Sequence, residues 1–296
     1  MYKNYLIGIS FKLINCFLFP VMSFLMLKIS TTLPVMQIFF VQAFLGAVIS
    51  LIYLLVIKQN IPLTMSKKDF LLYIGRALAN FIGIYLWIFS LSELGINEAT
   101  ALGYIGPLLV ILMAKYIIGE KLFNLKILSL LIANIFGMLV ILQPKYLELS
   151  WQGVASALGA IFLWSIYEVI CKKQTSNQHY MLQAFYFMAF SSVVMLPFAL
   201  QDWQAIDSLQ GSLLILVGLI AVTNITIIFI AFSFAPLTIL APFSYARLIF
   251  TGLLTNWLYS IESDKNLFIG AAIILLANIY FTYSLNKVIK PLPSQV

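Results

Sequence analysis

Two arginines and one glutamate interrupt long apolar stretches of this sequence and are the residues best suited to bind a charged ligand. Arg247 is spaced from Ser244, Thr251 and Thr255 at helical intervals, so a helix would place all four on one face. A guanidinium presents a planar fork of donors that matches a carboxylate or a phosphate. This face therefore predicts an anion-binding site. The alternative is a structural salt bridge or a cap on the carbonyls of a broken helix.

A second polar stripe begins at Arg76 and continues through Asn80, Gly83, Trp87 and Ser90, at intervals of 4, 3, 4 and 3 residues. A polar stripe of this length is unfavourable against lipid and favours a helix face that lines a cavity. The alternative is an interfacial arginine that reaches the membrane surface, with Asn80 hydrogen-bonded to a neighbouring helix.

Glu168 is the only acidic residue well inside an apolar segment, and it shares a helical face with Trp164 and follows Tyr167. Its carboxylate could bind a cationic group, a proton or one of the two arginines, and the aromatic rings could add cation–π attraction. The alternative is a pair with Lys172 one turn away, near the membrane interface.

Membrane-spanning helices must position these residues. Of 296 residues, 62% are hydrophobic and 9% are charged, whereas soluble domains carry about 25% charged residues and disordered chains are poor in apolar ones. A bilayer core requires about 20 helical residues, and ten segments are long enough. They are residues 5–28, 33–57, 70–92, 97–118, 125–143, 151–173, 178–200, 211–234, 238–260 and 266–286. The sequence therefore predicts an all-α polytopic membrane protein with ten transmembrane helices.

Several classes of function are excluded by what the sequence lacks. A net charge of +7 from 17 cations over 296 residues does not make a nucleic-acid surface. There is no phosphate-binding glycine loop for ATP, and one histidine, His179, with two cysteines in apolar segments, Cys16 and Cys171, gives no metal-ligand cluster. No catalytic triad is credible, so we expect no cofactor, no metal and no enzymatic activity. The expected partners are a small-molecule substrate and the lipid bilayer, with the oligomeric state left open.

Basic residues predict the orientation, because they concentrate in cytoplasmic loops. With the N-terminus inside, ten lysines fall on the cytoplasmic side and three on the other. The ten are Lys3, Lys58, Lys67, Lys68, Lys121, Lys126, Lys172, Lys173, Lys287 and Lys290, and the three are Lys28, Lys145 and Lys265. Both termini are then cytoplasmic, in a bacterial inner membrane. Lys12 and Lys115 lie within two turns of the cytoplasmic boundary, so we expect both to snorkel to the surface.

The two halves of the chain, residues 1–146 and 147–296, match each other in three blocks. Gly8, Leu13, Phe17, Leu18, Phe19 and Lys28 match Gly153, Leu158, Phe162, Leu163, Trp164 and Lys173; Ser92 and Tyr104 match Ser233 and Tyr245; residues 133–136 match 277–280. Five helices per half predict an inverted repeat, which is typical of secondary transporters.

Two pairs of matched residues are polar or aromatic. Tyr104 and Tyr245 could line a cavity or pack in the core. Asn134 and Asn278 are predicted to join helices rather than to contact substrate.

Three prolines fall within the predicted spans, at Pro20, Pro107 and Pro242. Proline can kink a membrane helix where neighbours or a cavity satisfy the freed carbonyls. The run from Gly103 through Gly106 to Pro107 predicts a flexing point in the fourth span, and simple packing of small residues is the alternative.

Several of these motifs together resemble the EamA-type permeases of the drug/metabolite transporter superfamily. They are the stretch from Arg76 through Trp87 to Asn97-Glu98-Ala99-Thr100-Ala101-Leu102, then Pro107 and Gly119-Glu120-Lys121. Two further segments are similar to the S-adenosylmethionine-uptake branch: Ala241-Pro242-Phe243-Ser244-Tyr245-Ala246-Arg247-Leu248, and Glu168 before Cys171-Lys172-Lys173. The resemblance covers essentially the whole chain. It implies alternating access around a central cavity lined by the first, third, fourth, sixth, eighth and ninth helices.

The sequence as a whole predicts a secondary transporter for a small polar metabolite, such as S-adenosylmethionine or an amino-acid-like compound. The candidate substrate-binding residues are Arg76, Asn80, Trp87, Tyr104, Trp164, Tyr167, Glu168, Tyr245 and Arg247. Alternatives are an exporter of amino acids or toxic metabolites, a membrane-embedded enzyme, and a scaffold without transport.

Overall fold

Helices make up almost all of the backbone in the computed structural model, which describes residues 2–62, 66–120, 125–142, 150–175, 179–259 and 265–288. These parts of the chain contain no β-strand. The physical reason is that a helix pairs its own backbone N–H and C=O groups, which lipid cannot do.

Eight of the ten spans are continuous helices and two are interrupted, the fourth and the ninth. The helices are α1 (Tyr2–Ser30), α2 (Val35–Val56), α3 (Lys67–Leu94), α4 (Ile96–Gly103), α5 (Gly106–Ile117), α6 (Leu125–Leu142), α7 (Trp151–Thr175), α8 (Tyr180–Ala199), α9 (Ser208–Phe234), α10 (Leu237–Leu240), α11 (Ala246–Tyr259) and α12 (Lys265–Val288). A 3-10 segment, Ala241–Tyr245, joins α10 to α11. The fourth span is α4 with α5, and the ninth is α10, the 3-10 segment and α11.

Eight spans are long and apolar enough to cross a membrane, and α6 and α12 contain shorter apolar runs, Leu125–Ile141 and Phe268–Ser284. These ten correspond to the ten segments expected from hydropathy. The prediction of an all-α polytopic membrane protein with ten helices is confirmed.

Polar side chains mark several helix ends. Ser66 precedes α3, and its Oγ accepts a hydrogen bond from the Asp69 N–H at 3.1 Å. Asp207 and Gln210 form a reciprocal capping box at the start of α9. Gly95 separates α3 from α4 with φ of +86°, a conformation that glycine adopts without steric cost.

Helix packing follows a two-fold pattern that relates the halves. α1 packs along α9 and α3 packs along α7, which are equivalent contacts if α1 corresponds to α7 and α3 to α9. α2 packs on its counterpart α8, and α6 packs on its counterpart α12. Because each half has an odd number of spans, the two copies lie in opposite orientations, and the fold is an inverted repeat of five helices.

The contact between α6 and α12 contains the two matched asparagines. Asn278 Nδ2 donates to Asn134 Oδ1 at 2.8 Å, and both residues are buried. The helices approach closely here, since a Cβ added at Gly270 would lie 2.4 Å from the Gly137 carbonyl oxygen. The prediction that the asparagines join helices is confirmed.

The two lysines expected to snorkel differ in the structure. Lys115 is exposed near the end of α5, as predicted, with its Nζ 5.6 Å from the centroid of the Tyr116 ring. Lys12 is only 1% exposed. The prediction was wrong for Lys12, because the face of α1 that carries it is covered by protein rather than directed to the membrane surface.

Candidate functional site

The two interrupted spans meet at their breaks, through the repeat-related tyrosines. A turn at Tyr104 and Ile105 separates α4 from α5, and the 3-10 segment ends at Tyr245. The two tyrosine rings stack with centroids 5.3 Å apart. Tyr245 OH donates to the Tyr104 carbonyl at 2.6 Å. The second repeat therefore stabilises a carbonyl at the break in the first.

Prolines contribute to both breaks. Pro107 lies at the start of α5 and Pro242 at the start of the 3-10 segment, positions where a helix needs no N–H from the residue. Pro20, in contrast, lies inside the continuous helix α1. The run from Gly103 to Pro107, expected to be a flexing point, is thus a break in the helix.

Arg247 lies in the first turn of α11, directly after the ninth-span break. Its guanidinium carbon is 3.9 Å from the centroid of the Phe19 ring on α1. Its Nε is buried without a hydrogen-bond partner, although the residue as a whole is partly exposed. It also lies within electrostatic range of Tyr104. The Arg247 guanidinium therefore lies near the tyrosine pair, and its Nε–H has no hydrogen-bond acceptor.

The polar face expected around Arg247 is shorter than a continuous helix would give. Ser244 belongs to the 3-10 segment, so the α-helical face begins only at Ala246. Thr255 Oγ1 donates to the Thr251 carbonyl at 2.9 Å within α11.

Trp87 and Trp164 form a second aromatic pair next to the tyrosines, with ring centroids 5.6 Å apart. Two glycines make room for them. A Cβ at Gly83 would lie 2.6 Å from Trp164 Nε1, and one at Gly103 would lie 2.8 Å from Trp87 Cη2. Since Gly103 precedes Tyr104, the tryptophan pair abuts the break of the fourth span.

Glu168 lies one turn beyond Trp164 on α7 and is partly exposed. It is within electrostatic range of Cys16 on α1 and of Cys171. Among the described residues, none donates a hydrogen bond to its carboxylate. An acid of this kind inside a span is able to take a cationic ligand or a proton.

Lys172 is engaged elsewhere and does not pair with Glu168. Its Nζ donates to the Phe232 carbonyl and, at 2.9 Å, to the Ala235 carbonyl. It therefore caps the C-terminal end of α9, where carbonyls have no partner within the helix. The intrahelical pair of Glu168 with Lys172, which was the alternative to ligand binding, is not formed.

Glu120 makes a polar contact between the two halves that the sequence did not predict. Its two carboxylate oxygens accept the backbone N–H groups of Leu237 and Thr238, each at 2.9 Å. It joins the end of α5 to the start of the ninth span, and it lies within electrostatic range of Lys172 and Tyr5. Glu120, Lys172 and residues 232–238 together form an end junction between the two halves. Its sequence signal is an acid directly after Gly119 at the end of a span.

Arg76 is enclosed rather than directed into an open space. It is 0% exposed, and its Nη1 donates to Gln174 Oε1 at 2.5 Å. Its guanidinium carbon lies 5.1–5.4 Å from the ring centroids of Tyr73, Tyr167, Phe187 and Phe229. Arg76 Nε and Nη2 and Gln174 Nε2 are buried without hydrogen-bond partners. Arg76 therefore does not snorkel to the interface.

The structure brings the nine candidate residues together in two groups. Five meet at the crossing of the broken spans: Trp87, Tyr104, Trp164, Tyr245 and Arg247. Glu168, like Arg247, lies within electrostatic range of Cys16. Arg76 lies apart from this group, in a cage of four aromatic rings that includes Tyr167. Asn80 lies one turn from Arg76 and is partly buried. In the described parts of the chain, no three metal-ligating side chains cluster.

Solved structures share this fold. A crystal structure matches with a TM-score of 0.79 and 14% sequence identity, over 97% of this chain and 99% of that chain.

Relatives with assigned functions are similar over most of their length. The S-adenosylmethionine uptake transporter of Rickettsia prowazekii is 24% identical over 96% of this chain and 95% of that protein. The pseudopaline exporter of Pseudomonas aeruginosa is 26% identical over 91% and 93%. The riboflavin transporter of Vibrio cholerae is 27% identical over 84% and 83%.

The family model covers nearly the whole chain. The model of the EamA-like transporter family matches twice, at residues 6–143 and 151–283. Its members and the named relatives are transporters and not enzymes. This protein is therefore a multi-pass membrane protein that belongs to the EamA-like transporter family.

Proposed function

We propose that this transporter moves a small polar metabolite that carries both positive and negative charge across the bacterial inner membrane by alternating access. S-adenosylmethionine and amino-acid-like compounds are the candidate cargoes. The observation that carries the proposal is the crossing of two broken spans, where Arg247 keeps an unpaired donor and Glu168 lies nearby without a hydrogen bond from a described residue. Discontinuous helices at a repeat interface are where secondary transporters bind their cargo.

The charges suggest how such a cargo binds. Arg247 takes a carboxylate, because its fork of donors matches two carboxylate oxygens. Glu168 takes the cationic group, and Trp87 and Trp164 supply aromatic faces to a cation or to a planar ring. Tyr104 and Tyr245 form the wall beside Arg247. In S-adenosylmethionine the cationic groups are an ammonium and a sulfonium.

We propose that Arg76, Asn80 and Tyr167 contact the cargo at a later step of the transport cycle. The cage around Arg76 holds two unpaired guanidinium donors and the unpaired Gln174 amide. Buried donors without acceptors cost about 1–3 kcal/mol each. A state in which the cage opens to cargo would satisfy them, so we propose that Arg76 contacts cargo only there.

The two halves, residues 1–146 and 147–296, are proposed to rock against each other, with both termini in the cytoplasm. The end junction lies on the side that the lysine distribution predicts to be cytoplasmic. Because Glu120 from the first half caps a span of the second, the contact must break when that end opens. Cargo shifts this equilibrium only through unequal affinity for the two states.

Export is the second candidate, and the similarity to the pseudopaline exporter favours it. Membership of a transporter family leaves the enzyme and scaffold alternatives without support. In an alternating-access cycle one binding site is able to serve import or export, and the driving gradient sets the direction.

Proteoliposome transport tests the proposal. The purified chain is reconstituted and assayed for uptake and efflux of labelled S-adenosylmethionine, methionine and riboflavin. We expect transport of a cargo with both charges, its loss in Arg247→Ala and partial retention in Arg247→Lys. Lys28→Ala, at an exposed end of α1, is the control. Transport by Arg247→Ala at the wild-type rate, with unchanged thermal unfolding, would refute the site.

A further inference from the structure

Lys12 is a buried cation on α1 that is not among the residues of the proposed site. It is 1% exposed, although a charged side chain within a membrane costs about 2.5–3.5 kcal/mol on insertion scales. Its ammonium makes no hydrogen bond to any residue that the structure describes. A buried ammonium needs acceptors or a counter-ion. An anionic group of a bound ligand would supply such a counter-ion.

The surroundings of Lys12 are those of the cargo site. Cys16 lies one turn further along α1, and its thiol donates to the Phe243 carbonyl at 3.5 Å in the ninth-span break. Lys12, Arg247 and Glu168 all lie within electrostatic range of this thiol. Another turn along, the Phe19 ring lies beneath the Arg247 guanidinium. Lys12, Cys16 and Phe19 thus share one face of α1. This face meets the ninth-span break and Arg247, and Glu168 lies within electrostatic range of it.

We propose that Lys12 is a third charged residue of the cargo site and binds an anionic group of the cargo. This rests on the function proposed above and narrows it. Two cations and one carboxylate leave the empty site with one excess positive charge. The cargo that balances it carries one more acidic group than basic groups, as a dicarboxylic amino acid or its derivative does. S-adenosylmethionine, with two positive charges and one negative, would increase the imbalance.

Pairs of ligands that differ in one charged group test whether the cargo carries the extra acidic group. Glutamate and glutamine have nearly the same shape and differ in one carboxylate. S-adenosylmethionine and S-adenosylhomocysteine differ in the sulfonium charge. Binding of all four to the purified full-length protein is measured by calorimetry, with wild type and with Lys12→Gln, Lys12→Arg and Lys28→Gln. Lys28→Gln is the control because it removes an exposed cation from the same helix.

We expect wild type to bind glutamate at least tenfold more tightly than glutamine, and S-adenosylhomocysteine more tightly than S-adenosylmethionine. Lys12→Gln should remove the preference for glutamate and leave glutamine affinity within threefold. Lys12→Arg should retain the preference, and Lys28→Gln should match wild type. A purely structural lysine would instead weaken both ligands of a pair equally.

The outcomes separate the two proposals. If wild type binds and transports S-adenosylmethionine best, and Lys12→Gln leaves all preferences unchanged, this inference is overturned while the transport function stands. Equal weakening of acid and amide by Lys12→Gln overturns it as well. If wild type binds and transports none of the four, the proposed function fails and the inference fails with it.

Discussion

Replacing Glu120 by glutamine should weaken the end junction without disturbing the membrane spans. In the native protein each carboxylate oxygen accepts one backbone N–H, from Leu237 and from Thr238, both at 2.9 Å. Glutamine keeps one acceptor oxygen, but its amide nitrogen faces a donor and the negative charge at the helix start is lost. Hydrogen bonds to charged groups contribute about 1.5–3 kcal/mol. We therefore expect a loss of about 2 kcal/mol from the closed end.

A loss of that size changes the population of the open end by about 30-fold, since 1.4 kcal/mol is a factor of ten. Cys171 should report this change, because it is buried and is the chain neighbour of Lys172, which belongs to the end junction. With Cys16 replaced by serine, Cys171 is the single thiol. A hydrophilic maleimide should label it about 30-fold faster in Glu120→Gln than in the parent.

The matched control is Glu93→Gln at the end of α3. Its carboxylate accepts one hydrogen bond, from the exposed Ser150 hydroxyl at 2.8 Å. Exposed contacts of this kind contribute little, so labelling of Cys171 should stay within twofold of the parent. Equal labelling rates in Glu120→Gln and Glu93→Gln would show that the end junction does not hold this end closed.

Three further substitutions and one control test contacts of the fold by thermal unfolding in detergent. Asn278→Leu removes the hydrogen bond to Asn134 and should cost about 1 kcal/mol, as interhelical hydrogen bonds in membranes do; no loss would mean that the pair does not join the helices. Tyr245→Phe removes the hydroxyl that donates to the fourth-span break and should cost about 1 kcal/mol while also slowing transport, so an unchanged unfolding midpoint would contradict that role. Gly270→Ala places a Cβ 2.4 Å from a carbonyl oxygen of α6 and should cost more than about 2 kcal/mol. Gly75→Ala is the control, because a Cβ at Gly75 would meet no atom within 4 Å beyond its chain neighbours and the backbone of its own helix; it should be neutral or stabilising by up to about 1 kcal/mol.

The local features of the fold followed from the sequence because the bilayer restricts the chain to helices of a fixed minimum length. Hydropathy therefore predicted ten spans. The glycine and proline run from Gly103 to Pro107 predicted a flexing point in the fourth span, where the structure has a break. Repeat matching also paired Asn134 with Asn278 before their contact was known. These features depend on residues near each other in the chain or on the symmetry of the two halves.

Contacts between distant parts of the chain came only from the tertiary structure. The helical period showed that Arg76 lies on a polar face, but its cage is built by α3, α7, α8 and α9. The same holds for Glu120, whose partners lie 117 and 118 residues away, and for Lys12, which the sequence placed near a surface. A helical pattern fixes which side chains share a face, whereas the packing of the other helices decides whether that face meets lipid, water or protein.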